Sequence, residues 1–445
     1  MDVNIIKKLI EEKNYIKIKE ILSEMNEVDV AEILKGYDPH MSLLLFRMLP
    51  KDLAVDVFAR FTSEQQFSII SSITNKELKD IIDELFFDDM IDLIEEMPAN
   101  IVNKILVYSN DEERKLINKF LKYPANSAGS LMTIEYVDLK KTMTVKESMD
   151  YIKEIGLNKE TVYTCYVTNK KRQLEGFVSL RTLVTSEEDV IIKDIMVEEI
   201  IKVNTHDDQE EVANVFRRYG FLSLPVVDNE NRLIGIITVD DIMEVIDQET
   251  TEDFQKMAAM SPSEEEYLDV GIWQLAKSRL PWLLMLMISA TFTGRIMGKY
   301  EDVLTSVAVL ATFVPMLMDT GGNAGSQSST LIIRGLAIGD IKTSDGFRVL
   351  LKEFSVSLIV GVILAVTNFV RLLIVEQVGV LIAATVSITL VVTIILSKIV
   401  GGTLPIFAKK LNMDPAIMAG PLITTIVDAL SLMVYFAIAT AILGL

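Results

Sequence analysis

The 445-residue chain has a single cysteine and two histidines. Cys165 permits no internal disulfide, and its Thr164-Cys165-Tyr166 strand setting points to a small core residue. His40 and His206 lie in no catalytic-looking setting and no nucleophile motif appears, so an enzyme is the least favoured class. Residues 1–14 do not resemble a secretory leader, being dense in Lys, Glu and Asp without an apolar run, and a cytoplasmic soluble part is therefore expected. The most informative scarcity is charge in residues 415–445, where Asp428 is the only charged side chain.

A carboxylate at membrane depth is unfavourable by on the order of 3 kcal/mol unless it faces a wet cavity, a partner or an ion, so Asp428 reads as a functional residue. The bland alternative is burial in a helix contact with a hydrogen bond to Thr424 or Thr425. The segment before it, Asp414-Pro415-Ala416 through Gly420-Pro421, is unfavourable to helix and suits a pore or cavity better than lipid.

Charge divides the chain in two. Residues 1–270 carry net −23 and residues 271–445 net +3. The acidic part has mixed polar and apolar periodicity and room for two domains. Its charge argues against nucleic acid and for cations as ligands. The remainder reads as five membrane helices near 277–297, 303–333, 350–375, 377–408 and 415–444. Lys277 and Arg279, then Arg334, Lys342, Arg348 and Lys352, then Lys409 and Lys410 mark one side, against Arg295, Lys299 and Arg371 on the other. The excess predicts a cytoplasmic N-terminus and an external C-terminus.

Within residues 28–123, short apolar-periodic segments are punctuated by Tyr37-Asp38-Pro39, Leu49-Pro50, Phe61-Thr62-Ser63, Ile73-Thr74-Asn75 and Met97-Pro98, the pattern of a stack of short helices. Residues 130–247 hold an internal repeat. Ser130-Leu131-Met132 matches Asp194-Ile195-Met196, and Leu174-Glu175-Gly176-Phe177-Val178-Ser179 matches Leu233-Ile234-Gly235-Ile236-Ile237-Thr238, with extra residues between the glycines Gly156 and Gly176 of the first copy. Each copy runs helix, strand, turn, strand, helix. This resembles a tandem pair of CBS domains, most specifically at Gly235-Ile236-Ile237-Thr238-Val239-Asp240-Asp241-Ile242. CBS pairs often bind adenosine nucleotides through a Thr-x-x-Asp pattern, which Thr238 and Asp241 fit. Ser179 is followed by Thr182 in the first copy, so the resemblance leaves ATP binding open with one carboxylate missing.

With its helical stack, CBS pair, acidic connector and five spans, the whole chain resembles the MgtE family of magnesium channels. The specific motifs are Pro315, the stretch Thr320-Gly321-Gly322-Asn323-Ala324-Gly325-Ser326-Gln327-Ser328-Ser329-Thr330, and Asp414-Pro415-Ala416 with Asp428 fourteen residues on. The glycine stretch lacks the Gly-Lys-Ser/Thr ending of a phosphate loop. The resemblance implies a multidomain homodimer in the cell membrane: an all-α superhelical N-terminal domain (1–127), an α/β CBS pair (128–248), a connecting plug helix (249–271) and an all-α transmembrane domain of five helices (272–445). It makes Asp428 the ion-selecting aspartate of a pore between subunits, lined by the second and fifth spans. A pair of such carboxylates would hold a largely hydrated Mg2+, which sheds water reluctantly. Asp414 reads as an N-cap that adds negative potential at the cytoplasmic mouth, and Asp319 either adds to that potential or caps a break at the glycines.

The same resemblance makes the acidic half a Mg2+ sensor, with Asp56, Asp88, Asp92, Asp208, Glu210, Asp241, Glu244, Glu249, Glu252 and Asp253 at matching positions. Asp88 and Asp92 stand one helical turn apart. Two like charges ~5 Å apart repel by roughly 3 kcal/mol at an effective dielectric near 20, so such a cluster invites a divalent cation. For each residue the plain alternative is a solvated surface carboxylate. Two other functions fit the pattern less fully: a broader Mg/Mn/Co carrier, and a membrane-anchored nucleotide sensor. The lone Asp428 gives an anchor no account of itself.

Overall fold

The computed structural model describes residues 3–263, 267–268 and 270–444, and the chain divides into two compact units, Met1–Val245 and Ile246–Leu445. The first begins with short helices of eight to ten residues, from Val3–Glu11 to Asp111–Phe120. Their boundaries fall where the turn signals stand. Asp38 caps Pro39–Phe46, and Thr62 and Thr74 close reciprocal caps with Gln65 and Glu77 on Ser63–Ser72 and Asn75–Ile82. Pro50 and Pro98 occupy the N-cap positions of Lys51–Ala59 and Ala99–Tyr108. Side-chain caps satisfy backbone N–H groups that a helix start leaves unpaired, which is why Asp and Thr recur there. Several of these helices pack on one two places along: Glu27–Lys35 on Lys51–Ala59, Pro39–Phe46 on Ser63–Ser72, Ser63–Ser72 on Phe87–Glu96, Asn75–Ile82 on Ala99–Tyr108. Short helices are marginal alone, and this stacking buries Val30, Leu34, Phe58, Ile70 and Leu78 into a continuous core.

The repeat folds as two matching three-stranded sheets. In the first, β1 (Asp138–Leu139) runs parallel to β2 (Thr164–Thr168), which pairs antiparallel with β3 (Leu174–Ser179). In the second, β4 (Val203–Asn204), β5 (Ser223–Val227) and β6 (Leu233–Thr238) repeat the order, and Ser223 faces Thr238 as Thr164 faces Ser179. The copies exchange edges: Thr133 bridges to Ile236 of β6, and Val197 to Phe177 of β3. Cys165 is fully buried in the first copy's core beside Val137, Leu139 and Val178, the structural role its strand setting implied. Burial pushes its thiol up to about 12, far from reactive.

Helix Val239–Met257 leads out of the second copy. The connecting helix expected over 249–271 ends at Met257, where Ala259 takes a left-handed φ of 55°. Residues 264–266 and 269 of that expected helix lie outside the described residues.

The second unit holds five long helices: Ile272–Lys299, Val314–Ala337, Gly346–Ile374, Val380–Lys410 and Gly420–Leu443. Among the described residues, four helical segments are long and apolar enough to cross a membrane: Ile272–Lys299, Thr343–Ile374, Val380–Lys410 and Gly420–Leu443. The glycine-rich helix Val314–Ala337 is long enough but holds Asn323, Ser326, Gln327, Ser328, Ser329 and Thr330 in place of apolar residues. Its small residues are turned inward: Gly321, Gly322, Ala324, Gly325, Ser328 and Ser329 are all buried. The break expected at its glycines is absent, since the helix runs straight through them. Their purpose is contact. A Cβ on Gly401 would lie 2.2 Å from the carbonyl oxygen of Gly325, and one on Gly325 would lie 2.7 Å from Cγ2 of Ile423. Helices without side chains at the contact approach closely, which in a bilayer is the main source of helix association.

Candidate ion pathway and acidic sensor

The start of the last helix is shaped by its prolines. Pro415–Met418 forms one 3-10 turn, Ala419 breaks it with extended backbone, and the helix restarts at Gly420–Leu443 with Pro421 in its first turn. Asp414 therefore caps the short turn rather than the long helix, accepting from the Ala416 N–H at 2.8 Å. Two turns into Gly420–Leu443 lies Asp428, half-buried. Thr424 and Thr425, the candidate partners, both donate to the Pro421 carbonyl at 2.9 Å. Among the described residues the Asp428 carboxylate has neither hydrogen bond nor ion pair. Asp319 is exposed in the second turn of the glycine-rich helix, caps nothing, and lies near enough for its charge to be felt at Asp428.

A second set of acids gathers in the same unit. Lys256 donates to Asp414 at 2.6 Å and to Glu252 at 2.5 Å, one turn earlier on its own helix. Asp253 is pushed up to about 6 by burial and then by Asp414, with Glu249 and Glu252 adding and Lys256 opposing. Three carboxylates, Asp414, Glu252 and Asp253, thus share one lysine, whose proton affinity burial lowers but Asp414 and Glu252 raise overall.

The largest cluster lies in the first unit, where helix Phe87–Glu96 meets the first turn of Val239–Met257. Asp88 is held well above the ordinary carboxylate range by burial and then by Asp89, Asp241 and Glu160, and its Oδ1 is buried without a hydrogen-bond partner. Burial and the charges of Asp241, Glu244 and Asp56 push Asp89 up to about 6, opposed by Arg60. Asp241 is raised to about 6 by burial and by Asp240 and Glu244, although its carboxylate accepts from Thr238 Oγ1 at 2.6 Å. Asp92 is pushed to about 7 by the surrounding chain and then by Asp89, Glu95 and Glu96; because its side chain still reaches solvent, water screens part of this and it weighs least. Glu160 is raised to about 7 by burial, then Asp241, Asp240 and Asp89. Among the described residues no three such groups converge tightly enough to hold a metal ion as a ready-made chelate. The cluster is a concentration of charge rather than a closed cage.

Three family models match in the same order along the chain: the MgtE intracellular N domain over residues 25–126, the CBS domain over 192–248 and the divalent cation transporter MgtE over 314–438. The magnesium transporter MgtE of Thermus thermophilus is 34% identical over 408 residues, covering 90% of this chain and 89% of the relative. The chain belongs to the MgtE family. The Bacillus subtilis magnesium transporter MgtE is likewise 34% identical, over 88% of this chain and 86% of its own length. A crystal structure of the cytosolic domain of the Mg2+ channel MgtE in complex with ATP superposes with a TM-score of 0.52 at 30% identity, covering 54% of this chain and 98% of that structure. The CBS match spans the second copy, and the paired sheets supply the first.

On the MgtE frame, the expected residues fall into three groups. Asp88, Asp92, Asp241 and Glu244 come together, with Asp56 at the margin through its effect on Asp89. Glu249, Glu252 and Asp253 gather at Asp414 instead. Asp208 is exposed and caps Gln209–Tyr219 by accepting from the Glu210 N–H at 2.9 Å. Sequence reasoning passed over Glu160 and Lys256. Glu160 follows the 3-10 turn Gly156–Asn158, in the extra residues between the first copy's glycines, and that insertion was its signal. Lys256 was signalled by its i,i+4 spacing from Glu252.

Proposed function

We propose that this MgtE protein carries Mg2+ across the membrane as a homodimer, through a pathway lined by the glycine-rich helix and the Asp428 helix. The observation that carries this reading is Asp428 itself: a half-buried acid in an apolar helix with no protein partner among the described residues. An intramembrane carboxylate in that condition needs a cation or water. Two copies would bring two such carboxylates to one pathway, where a hydrated Mg2+ is held through its waters rather than stripped. The excess of lysine and arginine in the loops supports a cytoplasmic position for both soluble parts and an external C-terminus. Pro421, Thr424 and Thr425 leave an irregular, polar entry on that side, with Asp414 near it.

In this reading cytoplasmic Mg2+ closes the pathway. Asp88, Asp89, Asp241 and Glu160 sit close enough to raise one another's proton affinity, so their assembly is favoured by any divalent cation that screens them. The connector acids at Asp414 add a second screened contact. A broader divalent carrier stands as the second reading, favoured by the all-oxygen site, which does not exclude Mn2+ or Co2+. ATP at the CBS pair rests on Thr238 and Asp241, whose mutual hydrogen bond would have to open to receive a ribose. The test is uptake into vesicles with Mg2+ titrated on the side of the soluble domains. Closure at rising Mg2+ is expected; flux indifferent to it overturns the sensor.

A further inference from the structure

Ion pathway and sensor leave unused a buried lysine among the apolar helices. Lys398 lies in the middle of the apolar helix Val380–Lys410 with 6% of its surface exposed. A buried lysine in a membrane span is unfavourable unless paired, and such residues usually face the bundle interior. Its Nζ donates to Ser328 Oγ at 3.3 Å, and the Ser328 hydroxyl in turn donates to Glu353 Oε2 at 2.6 Å. The three residues belong to three different helices: the glycine-rich helix, Gly346–Ile374 and Val380–Lys410. Among the described residues Lys398 and Glu353 form no direct ion pair, so the serine hydroxyl stands between opposite charges. It is 1% exposed, and a hydroxyl is well suited to accept from an ammonium while donating to a carboxylate.

The backbone around this trio is packed to contact. Gly401, one turn beyond Lys398, rests on Gly325, one turn before Ser328. A Cβ on its neighbour Gly402 would lie 2.9 Å from Cγ of Glu353. Glycines of the glycine-rich helix also lie against the last helix: a Cβ on Gly325 would lie 2.7 Å from Cγ2 of Ile423 and 3.2 Å from the Ser397 carbonyl oxygen, and one on Gly321 would lie 2.9 Å from Cγ1 of Val427, the residue next to Asp428 in sequence. The rotation and height of the glycine-rich helix therefore set the position of the Asp428 helix.

We propose that Lys398, Ser328 and Glu353 form a buried clamp joining three helices, which holds the glycine-rich helix in register against the Asp428 helix and so tunes the affinity of the pathway for Mg2+. They are positioning residues, and the role rests on Asp428 as the ion site. The full chain in proteoliposomes tests it with Lys398→Met, Glu353→Gln, Ser328→Ala and the double Lys398→Met/Glu353→Gln. Each single variant should raise the Mg2+ concentration for half-maximal flux by about tenfold, the size of one strong polar contact between membrane helices. The double variant should return to within about threefold of the native chain, because removing both charges leaves neither unpaired. Hydrogen exchange in residues 314–337 should rise in the single variants and recover in the double. Unchanged half-saturation in the singles, or a double variant showing the full product of the two effects, overturns the clamp. Should Lys398→Met fail to accumulate, Ser328→Ala decides, since it removes a hydroxyl and leaves both charges. Native flux in Asp428→Ala would refute the ion-site reading, while the exchange pattern would still judge the clamp.

Discussion

Asp241→Asn tests the sensor through its own electrostatics. Asp241 titrates near 6 in the folded chain against an ordinary 3.8. The folded state thus holds the proton more tightly than the unfolded one. Its stabilising contribution is fully present below 3.8, and is lost as pH rises through about 6. A two-unit shift corresponds to about 3 kcal/mol. Burial is the larger cause and remains in the amide, and Asp89 and Glu160 titrate together with Asp241, so only part of this is recovered. At pH 7.5 without divalent cations, Asp241→Asn should slow hydrogen exchange in helix Phe87–Glu96 by about tenfold, and at pH 5 by little. Saturating Mg2+ should protect that helix strongly in the native chain and weakly in the variant. The assay is hydrogen exchange by mass spectrometry on the full chain, corrected for the intrinsic pH dependence. Equal protection by Mg2+ in both proteins, or a native profile flat between pH 5 and 7.5, would refute the reasoning.

Two other outcomes are open to direct measurement. Lys256→Met removes the cation shared by Asp414, Glu252 and Asp253, and at about 1 kcal/mol for a partly exposed pair should raise the Mg2+ needed for closure by about fivefold, read from flux titrated with internal Mg2+. Gly401→Ala places a methyl 2.2 Å from a backbone oxygen that no side-chain rotation can move, and should lower stability by about 3 kcal/mol or more, seen as a depressed thermal midpoint in detergent; an unaltered midpoint would refute close backbone contact between these two helices.

Much of this was legible in the residues because it depends on local chemistry. Asp38, Thr62 and Thr74 mark helix starts since a short polar side chain satisfies orphan N–H groups wherever it stands. The 59-residue echo of Leu174–Ser179 in Leu233–Thr238 carried the paired sheets. Asp428 was conspicuous because apolar neighbours isolate it. What sequence obscured depends on packing. The Gly321-Gly322 stretch reads as a break from propensity alone, yet contact with neighbouring helices keeps it helical. Asp208 resembles its acidic neighbours in sequence, and its capping bond to the Glu210 N–H appears only in the fold. Lys398, Ser328 and Glu353 lie far apart along the chain, and nothing in their spacing announces that one hydroxyl joins them.

The most direct test of the central claim is Mg2+ flux through the purified chain in vesicles, comparing the native protein with Asp428→Ala and Asp428→Asn at matched protein density. An unpartnered acid that binds the transported ion predicts flux reduced by about a hundredfold in Asp428→Ala, the loss of a buried charge contact of about 3 kcal/mol, with weaker discrimination among divalent cations in Asp428→Asn. Native flux and native selectivity in both variants would contradict it.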